Sequence, residues 1–132
     1  MNNNHELLLI RELCAELDEK GIKYCHWKSN AAVDRSASGD NDIDILISRP
    51  DVQHFREILI RLGFKECVSH KVKQLPGVEN FFGYDFTANK FIHVHAHYQL
   101  VIGHDMTKNY HLPIEKWYID SAEKQGLFMV PA

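Results

Sequence analysis

The sequence predicts a single α/β domain of the α+β type, in which helices pack on one face of a mixed β-sheet. Three observations lead to this prediction. Apolar residues recur with helical spacing in some stretches, alternate with polar residues in others, and Gly or Pro separates the stretches. The length of 132 residues suits one domain, residues 1–132, and suffices for a hydrophobic core.

The first half of the chain predicts two helices and three strands. Leu7, Ile10, Cys14 and Leu17 follow helical spacing, so we expect a helix over residues 4–20, with the preceding asparagines as its N-cap. The remaining elements of this half, in chain order, are a strand at 22–27, a loop at 30–41, a strand at 42–47, a helix at 48–62 and a strand at 64–69.

The second half predicts a hairpin, a helix and a last strand. The hairpin comprises residues 78–86 and 90–100, and the helix runs from Pro113 through Glu123. A short apolar run at 127–130 predicts a strand that stops at the C-terminus. Such a strand suggests that the chain is the N-terminal part of a longer protein, and a C-terminal domain or a partner protein is then expected.

Composition and charge exclude several classes of partner. The net charge is −3, so no global field attracts nucleic acid or an anionic membrane. The sequence contains no apolar run of the roughly 18 residues that a membrane span requires, and its start lacks the pattern of a signal peptide. Three cysteines without CxxC spacing indicate reduced thiols. We therefore expect a cytoplasmic protein without a membrane or nucleic-acid partner.

The strongest chemical signal is the pair of carboxylates in Asp42-Ile43-Asp44. Residues two apart on a strand point to the same face, so the two carboxylates lie side by side. Their like charges repel, and a divalent cation offsets that repulsion. Oxygen ligands of this kind select Mg²⁺ or Mn²⁺. The alternative interpretation is a solvated strand edge that carries two acids.

The second signal is a row of histidines at 93, 95 and 97, among nine in the chain. If residues 90–100 form a strand, then His93, His95 and His97 share one face. Three interpretations remain open: the imidazoles line a cleft beside the two aspartates, bind a transition metal such as Zn²⁺, or form a solvated face.

Taken together, these motifs resemble those of the nucleotidyltransferase superfamily, the polymerase-beta-like proteins. A small polar residue ends a strand, twelve residues follow between Ser29 and Asp42, and an Asp-x-Asp strand comes next. The resemblance is greatest to an uncharacterised bacterial nucleotidyltransferase-like family, often found ahead of a kinase-like region. The motifs that carry it are His26-Trp27-Lys28-Ser29-Asn30, Asp42-Ile43-Asp44, Gly63-Phe64, Phe82-Gly83 and His93-Val94-His95-Ala96-His97-Tyr98.

This resemblance implies a nucleotidyltransferase-like fold and a metal-dependent transfer of an NMP group from NTP to a small-molecule or protein acceptor. Asp42 and Asp44 would hold Mg²⁺ or Mn²⁺, which bridges the phosphates. Lys28, Ser29 and Asn30, with the backbone at that turn, would bind the triphosphate. Lys28 stands where the family has Gly, and a Lys either adds a phosphate contact or blocks a close approach of the backbone.

The resemblance also assigns a role to the histidines. His95 occupies the place of the family's third carboxylate, and it would act as general base, with His93 and His97 lining the cleft. Two other functions remain open. One is a non-catalytic domain of the same fold that binds nucleotide or metal; the other is a His-based Zn²⁺-binding protein or hydrolase.

Overall fold

Helices and strands alternate along the first half of the chain, and strands dominate the second half. The structure, a computed structural model, describes residues 6–26, 33–67, 77–98, 100–102, 110–112 and 115–131. None of the helices in these ranges is both long and apolar enough to cross a membrane. The helices are α1 (Leu8–Glu19), α2 (Val33–Ala37), α3 (Val52–Arg61) and α4 (Glu115–Asp120). The strands are β1 (Tyr24–His26), β2 (Ile43–Ile47), β3 (Lys65–Cys67), β4 (Val78–Asp85), β5 (Lys90–His97), β6 (Leu100–Ile102), β7 (Tyr110–Leu112), β8 (Glu123–Gln125) and β9 (Phe128–Val130).

Five strands form a mixed sheet in the order β1-β2-β5-β4-β3. The pair β2 and β5 is parallel, whereas the other three neighbouring pairs are antiparallel. A parallel pair requires a crossover, and α3 lies in the segment that connects these two strands. The predicted α+β architecture with a mixed sheet is therefore confirmed, as is the predicted hairpin, which β4 and β5 form.

The hydrophobic core lies on one face of this sheet. Ile43, Ile45 and Ile47 of β2 and Val94 and Ala96 of β5 are fully buried there. They belong to one cluster with the apolar sides of α1 and α3. Each large side chain buried in this way contributes about 1.5–3 kcal/mol to folding. We call this the helix-covered face, and the opposite side of the sheet the second face.

The expectation that all helices pack on one face is wrong for α4. Cys25 and Leu46 are fully buried and pack with Tyr118, Ile119 and Ala122, which lie in α4 or just after it. Leu46 alternates with Ile45 and Ile47, so it points to the second face. Because this end of the second face is itself apolar, α4 covers it.

The predicted loop at 30–41 also contains a helix. Within its described part, α2 (Val33–Ala37) buries Val33, Ser36 and Ala37. These positions have the i, i+3, i+4 spacing of one helical face. The residues that follow, Ser38, Gly39, Asp40 and Asn41, are typical of a loop. A single turn of helix with only two apolar residues was therefore not predicted.

The last helix is shorter than predicted. It ends at Asp120, where the Ser121 hydroxyl donates to the carbonyl of Trp117 at 2.7 Å. The chain then forms a hairpin of β8 and β9 around Gly126, whose φ is +61°. The strand predicted at 127–130 is present as β9, whereas its partner β8 was missed because Glu, Lys and Gln give no strand signal.

Two of the sequence motifs meet in space. Gly83 of β4 lies against the ring of Phe64, and a Cβ at Gly83 would come within 2.7 Å of that ring. Phe64 is 2% exposed and follows Gly63, whose positive φ ends the turn after α3. The close approach of strand and ring explains why the chain has glycine at position 83.

The first turn of α1 is capped from a distance. Leu7 stands at the N-cap and provides no side-chain hydrogen bond, so the predicted asparagine cap is wrong. Instead the buried Asp85, at the end of β4, accepts the N–H of Leu9 at 2.9 Å and that of Ala88 at 2.8 Å. Burial alone would raise the pKa of Asp85, but these backbone hydrogen bonds hold it below its usual value.

We expect Asp85→Asn to lower the free energy of unfolding at pH 7 by about 1–3 kcal/mol, because the helix terminus loses a charged acceptor. A carboxyl group with a lowered pKa contributes stability above its unfolded pKa, and that contribution disappears as pH falls through the folded value. Urea unfolding between pH 7 and pH 2 should therefore show a weaker acid dependence in the variant. Glu12→Gln, at an exposed position of α1, is the control, and an equal loss in both variants would contradict the assignment.

Candidate metal centre

The two carboxylates of the Asp-Ile-Asp motif lie at the beginning of β2. Ile43 and Ile45 are buried on the helix-covered face, so alternation points Asp44 to the second face. Asp42 directly precedes the strand. The side chain of Asp42 is 59% exposed, whereas that of Asp44 is 18% exposed. The two carboxylates therefore have different environments, and Asp44 is the more sheltered of the two.

Strand β5 lies beside β2 and brings the histidines to these carboxylates. In the parallel register His95 is opposite Asp44, and His97 is opposite Leu46. His93 shares their face, since it is two residues before His95. The sequence-based expectation that the histidine strand neighbours the aspartate strand is thus confirmed.

Each aspartate faces an imidazole. The Nδ1 atom of His93 is 3.1 Å from Asp42 Oδ2, and the Nδ1 atom of His95 is 3.2 Å from Asp44 Oδ1. The Nε2 atom of His97 is 3.6 Å from the same Asp44 oxygen. We call these five residues the Asp–His row. Because imidazoles adjoin both carboxylates, a bound cation is not the only group that can offset their mutual repulsion.

Three members of the row form a group of candidate metal ligands. Asp44, His95 and His97 each offer a ligand atom, and these atoms lie within 4.8 Å of one another. Two imidazoles and one carboxylate suit Zn²⁺, Mn²⁺ or another first-row metal better than Mg²⁺, which prefers oxygen ligands. Asp42 is outside this group, and the predicted binding of a cation by Asp42 and Asp44 together stays a prediction.

The contact with Asp44 fixes the chemistry available to His95. A carboxylate oxygen only accepts hydrogen bonds, so Nδ1 of the imidazole must donate to it. In a neutral ring, that leaves the lone pair on Nε2. This nitrogen can bind a metal or accept a proton, and the carboxylate orients the ring for either role.

His93 is held by two further side chains. Its ring stacks on that of Phe82, with centroids 4.4 Å apart and planes inclined by 6°. Its Nε2 atom is 2.8 Å from Asn80 Oδ1. Its Nδ1 atom faces Asp42. His93 is therefore held at one end of the row, between Asp42 and the neighbouring strand β4.

A buried hydrogen-bond chain behind the row was not predicted. His26 and Ser36 are 0% and 1% exposed. The Nε2 atom of His26 lies 3.1 Å from Ser36 Oγ, which in turn donates to the carbonyl of Asp42 at 3.1 Å. Burial lowers the pKa of His26, although the charge of Asp44 opposes this. A neutral His26 that donates to Ser36 thus holds the backbone at the beginning of β2.

Not every predicted site residue lies in the described ranges. Lys28, Ser29 and Asn30 fall outside them, and their assignment to the triphosphate stays a prediction. The sequence signals for His26 were its place within a predicted strand and its position in the motif His26-Trp27-Lys28-Ser29-Asn30, and neither predicted a contact with Ser36. Ser36 gave no usable signal, since the stretch that contains it had the composition of a loop.

We expect Ser36→Ala to destabilise the fold by about 1–3 kcal/mol, because a buried imidazole and a carbonyl lose their shared partner. Ser38→Ala is the matched control, since its hydroxyl bonds to Arg35 and Asp40 at the solvent-exposed side of the same segment. Chemical denaturation monitored by circular dichroism gives both values. Equal effects of the two substitutions would show that the buried chain contributes nothing beyond an ordinary surface turn.

None of the protein-family models, curated proteins or solved structures compared with this chain matches it. The resemblance found in the sequence motifs therefore stays a prediction. The structure establishes the coarser statement: a mixed five-stranded sheet with helices, which carries a row of aspartates and histidines on its second face.

Proposed function

We propose that this chain is a metal-dependent nucleotidyltransferase, which moves an NMP group from NTP to the hydroxyl of a small molecule or a protein. The observation that carries the proposal is the convergence of Asp44, His95 and His97 within 4.8 Å. Asp44 is the second aspartate of the Asp-x-Asp motif. The sequence motif and the group of candidate metal ligands thus have Asp44 of β2 in common.

The order of the elements supports the proposal. Strand β1 is followed by the short helix α2, by the Asp-x-Asp motif at the start of β2, and later by β5 alongside β2. This is the order that the nucleotidyltransferase arrangement requires: a strand end, a connecting segment, the carboxylate strand, and a later strand that completes the cleft. Lys28, Ser29 and Asn30 belong to the segment between β1 and α2, where the triphosphate would bind.

The proposed reaction assigns tasks to three residues of the row, Asp44, His95 and His97. The acceptor oxygen bonds to the α-phosphorus of NTP, the bond to the departing pyrophosphate breaks, and the acceptor's proton passes to a base. Asp44, His95 and His97 would hold the cation, which when bound would stabilise negative charge on the phosphates. His95 is the base if its Nε2 stays free of metal, and a ligand if it does not.

The nature of the donor atoms favours one cation over another. A site made of carboxylates alone would take Mg²⁺, whereas imidazole nitrogens bind Mn²⁺ and Zn²⁺ more readily. Of the two cations expected from the sequence, we therefore propose Mn²⁺ as the activating ion.

A second candidate function is favoured by the same composition. His97 is 5% exposed and Asp44 is half-buried, so their group is sheltered and rich in nitrogen. Such a site also suits Zn²⁺ held for structure or sensing, without any transfer reaction. Turnover separates the two candidates, whereas metal binding is common to both.

We expect Asp44→Asn to weaken Mn²⁺ and Zn²⁺ binding by more than about tenfold, because the variant loses the charged ligand that both imidazoles face. Asp42→Asn should weaken binding less, since Asp42 lies outside the group of three. Isothermal titration with each metal tests this order. Asp120→Asn, at an exposed carboxylate paired with Lys116, is the control. If Asp44→Asn binds both metals with the affinity of the parent protein, the proposed metal site is wrong.

We expect His95→Ala to lower the turnover of labelled NTP by about 10²–10⁴-fold if His95 is the base. A base can be lost without change in metal affinity, whereas a lost ligand reduces metal affinity as well. Mn²⁺ titration of the same variant therefore identifies the role. His95→Asp should restore activity, because it supplies the carboxylate that the resemblance leads us to expect at this position. A parent protein that binds metal but releases no pyrophosphate from any NTP would favour the second candidate.

A further inference from the structure

Four aromatic side chains cluster on the β4–β5 hairpin, and three of them are exposed. Phe86 is 84% exposed, Phe91 is 74% exposed and Phe82 is 37% exposed. Tyr84 lies between Phe86 and Phe91, with ring centroids 4.9 Å from each and the planes steeply inclined. We call Phe82, Tyr84, Phe86 and Phe91 the aromatic strip.

The aromatic strip continues the Asp–His row along the second face. Phe82 is opposite His93, and Tyr84 is opposite Phe91, in the antiparallel register of β4 and β5. Phe91 precedes His93 by two residues, so both point to the same side. The stacked pair of Phe82 and His93 joins the two regions, since His93 also contacts Asp42.

These four rings are not part of the hydrophobic core. On β5 the core positions are occupied by Ile92 and Val94, which are 2% and 0% exposed. Phe91 and Phe86 instead leave a large apolar area in water, and a contiguous patch of this kind on a protein surface marks a binding site. The carboxylate and imidazole groups at one end of the patch limit what can bind there.

A ligand that covers both regions must combine two kinds of chemistry. One end must interact with a metal or with imidazoles, and the other end must be planar and apolar enough to lie on aromatic rings. A nucleoside triphosphate has this combination, because its phosphates bind metal and its base stacks on aromatic side chains. A purely apolar partner would leave the charged end of the surface without a counterpart.

We propose that the aromatic strip is the nucleobase subsite of this domain, and that it stacks the base of the nucleotide whose phosphates bind at the Asp–His row. The proposal deepens the proposed function and rests on it. Stacking does not depend on the hydrogen-bonding pattern of the base, so the subsite should accept both purines and pyrimidines and bind purines more tightly because of their larger ring area.

The test compares ATP with inorganic tripolyphosphate, each in the presence of Mn²⁺. We expect Phe91→Ala to weaken ATP binding by about 5- to 100-fold, the usual cost of one lost stacking contact. Tripolyphosphate binding should stay unchanged, since this ligand has no base. Phe91→Trp should retain ATP affinity. Trp117→Ala is the matched control, because Trp117 is another exposed aromatic, 63% accessible, on α4.

The outcomes separate this inference from the proposed function. If ATP binds more tightly than tripolyphosphate and loses that advantage in Phe91→Ala, the subsite stands even where no NMP is transferred. If the parent binds the two ligands with equal affinity, or the variant loses the same affinity for both, the nucleobase subsite is wrong. The proposed transferase function is not contradicted by that result. Binding of neither ligand overturns both. A dimer that dissociates on Phe91→Ala, with ATP affinity unchanged, would assign the strip to a second copy of the chain.

Discussion

The parallel pairing of β2 and β5 is the constraint on which the rest of the structure depends. Both strands have apolar residues at alternate positions, and Ile43 and Ile45 lie level with Val94 and Ala96. Since these side chains must be buried together, the register is fixed, and a slip by one residue would expose the core. The same register sets Asp44 beside His95. The core on one face therefore determines the geometry of the polar row on the other.

This arrangement has an electrostatic cost, which the surrounding residues reduce. Carboxylates and imidazoles at a sheet surface lose part of their hydration, and His97 is almost fully buried. Asn80 and the ring of Phe82 hold His93, and the hydrogen-bond chain from His26 holds the backbone at Asp42. The polar atoms of the row are thus oriented before any ligand arrives, as electrostatic catalysis and metal binding both require.

The sequence could predict the sheet and the Asp–His row because both follow from a period of two. Alternation alone was enough to put Asp42 and Asp44 on one side, and His93, His95 and His97 on one face of their strand. It could not assign separate partners to the two aspartates, because the offset between β2 and β5 is a tertiary feature. Helix α2 was missed since only Val33 and Ala37 gave it an apolar side. The contact of His26 with Ser36 could not be predicted either, because Ser36 lies in this helix.

The remote cap on α1 bears on how this protein is made. The carboxylate that binds the N–H of Leu9 lies 76 residues further along the chain. Leu7 provides no side-chain cap, so the acceptor that Asp85 supplies to the N–H of Leu9 exists only once the chain has been synthesised through β4. During translation, which proceeds from the N-terminus, α1 therefore leaves the ribosome long before the residue that completes it.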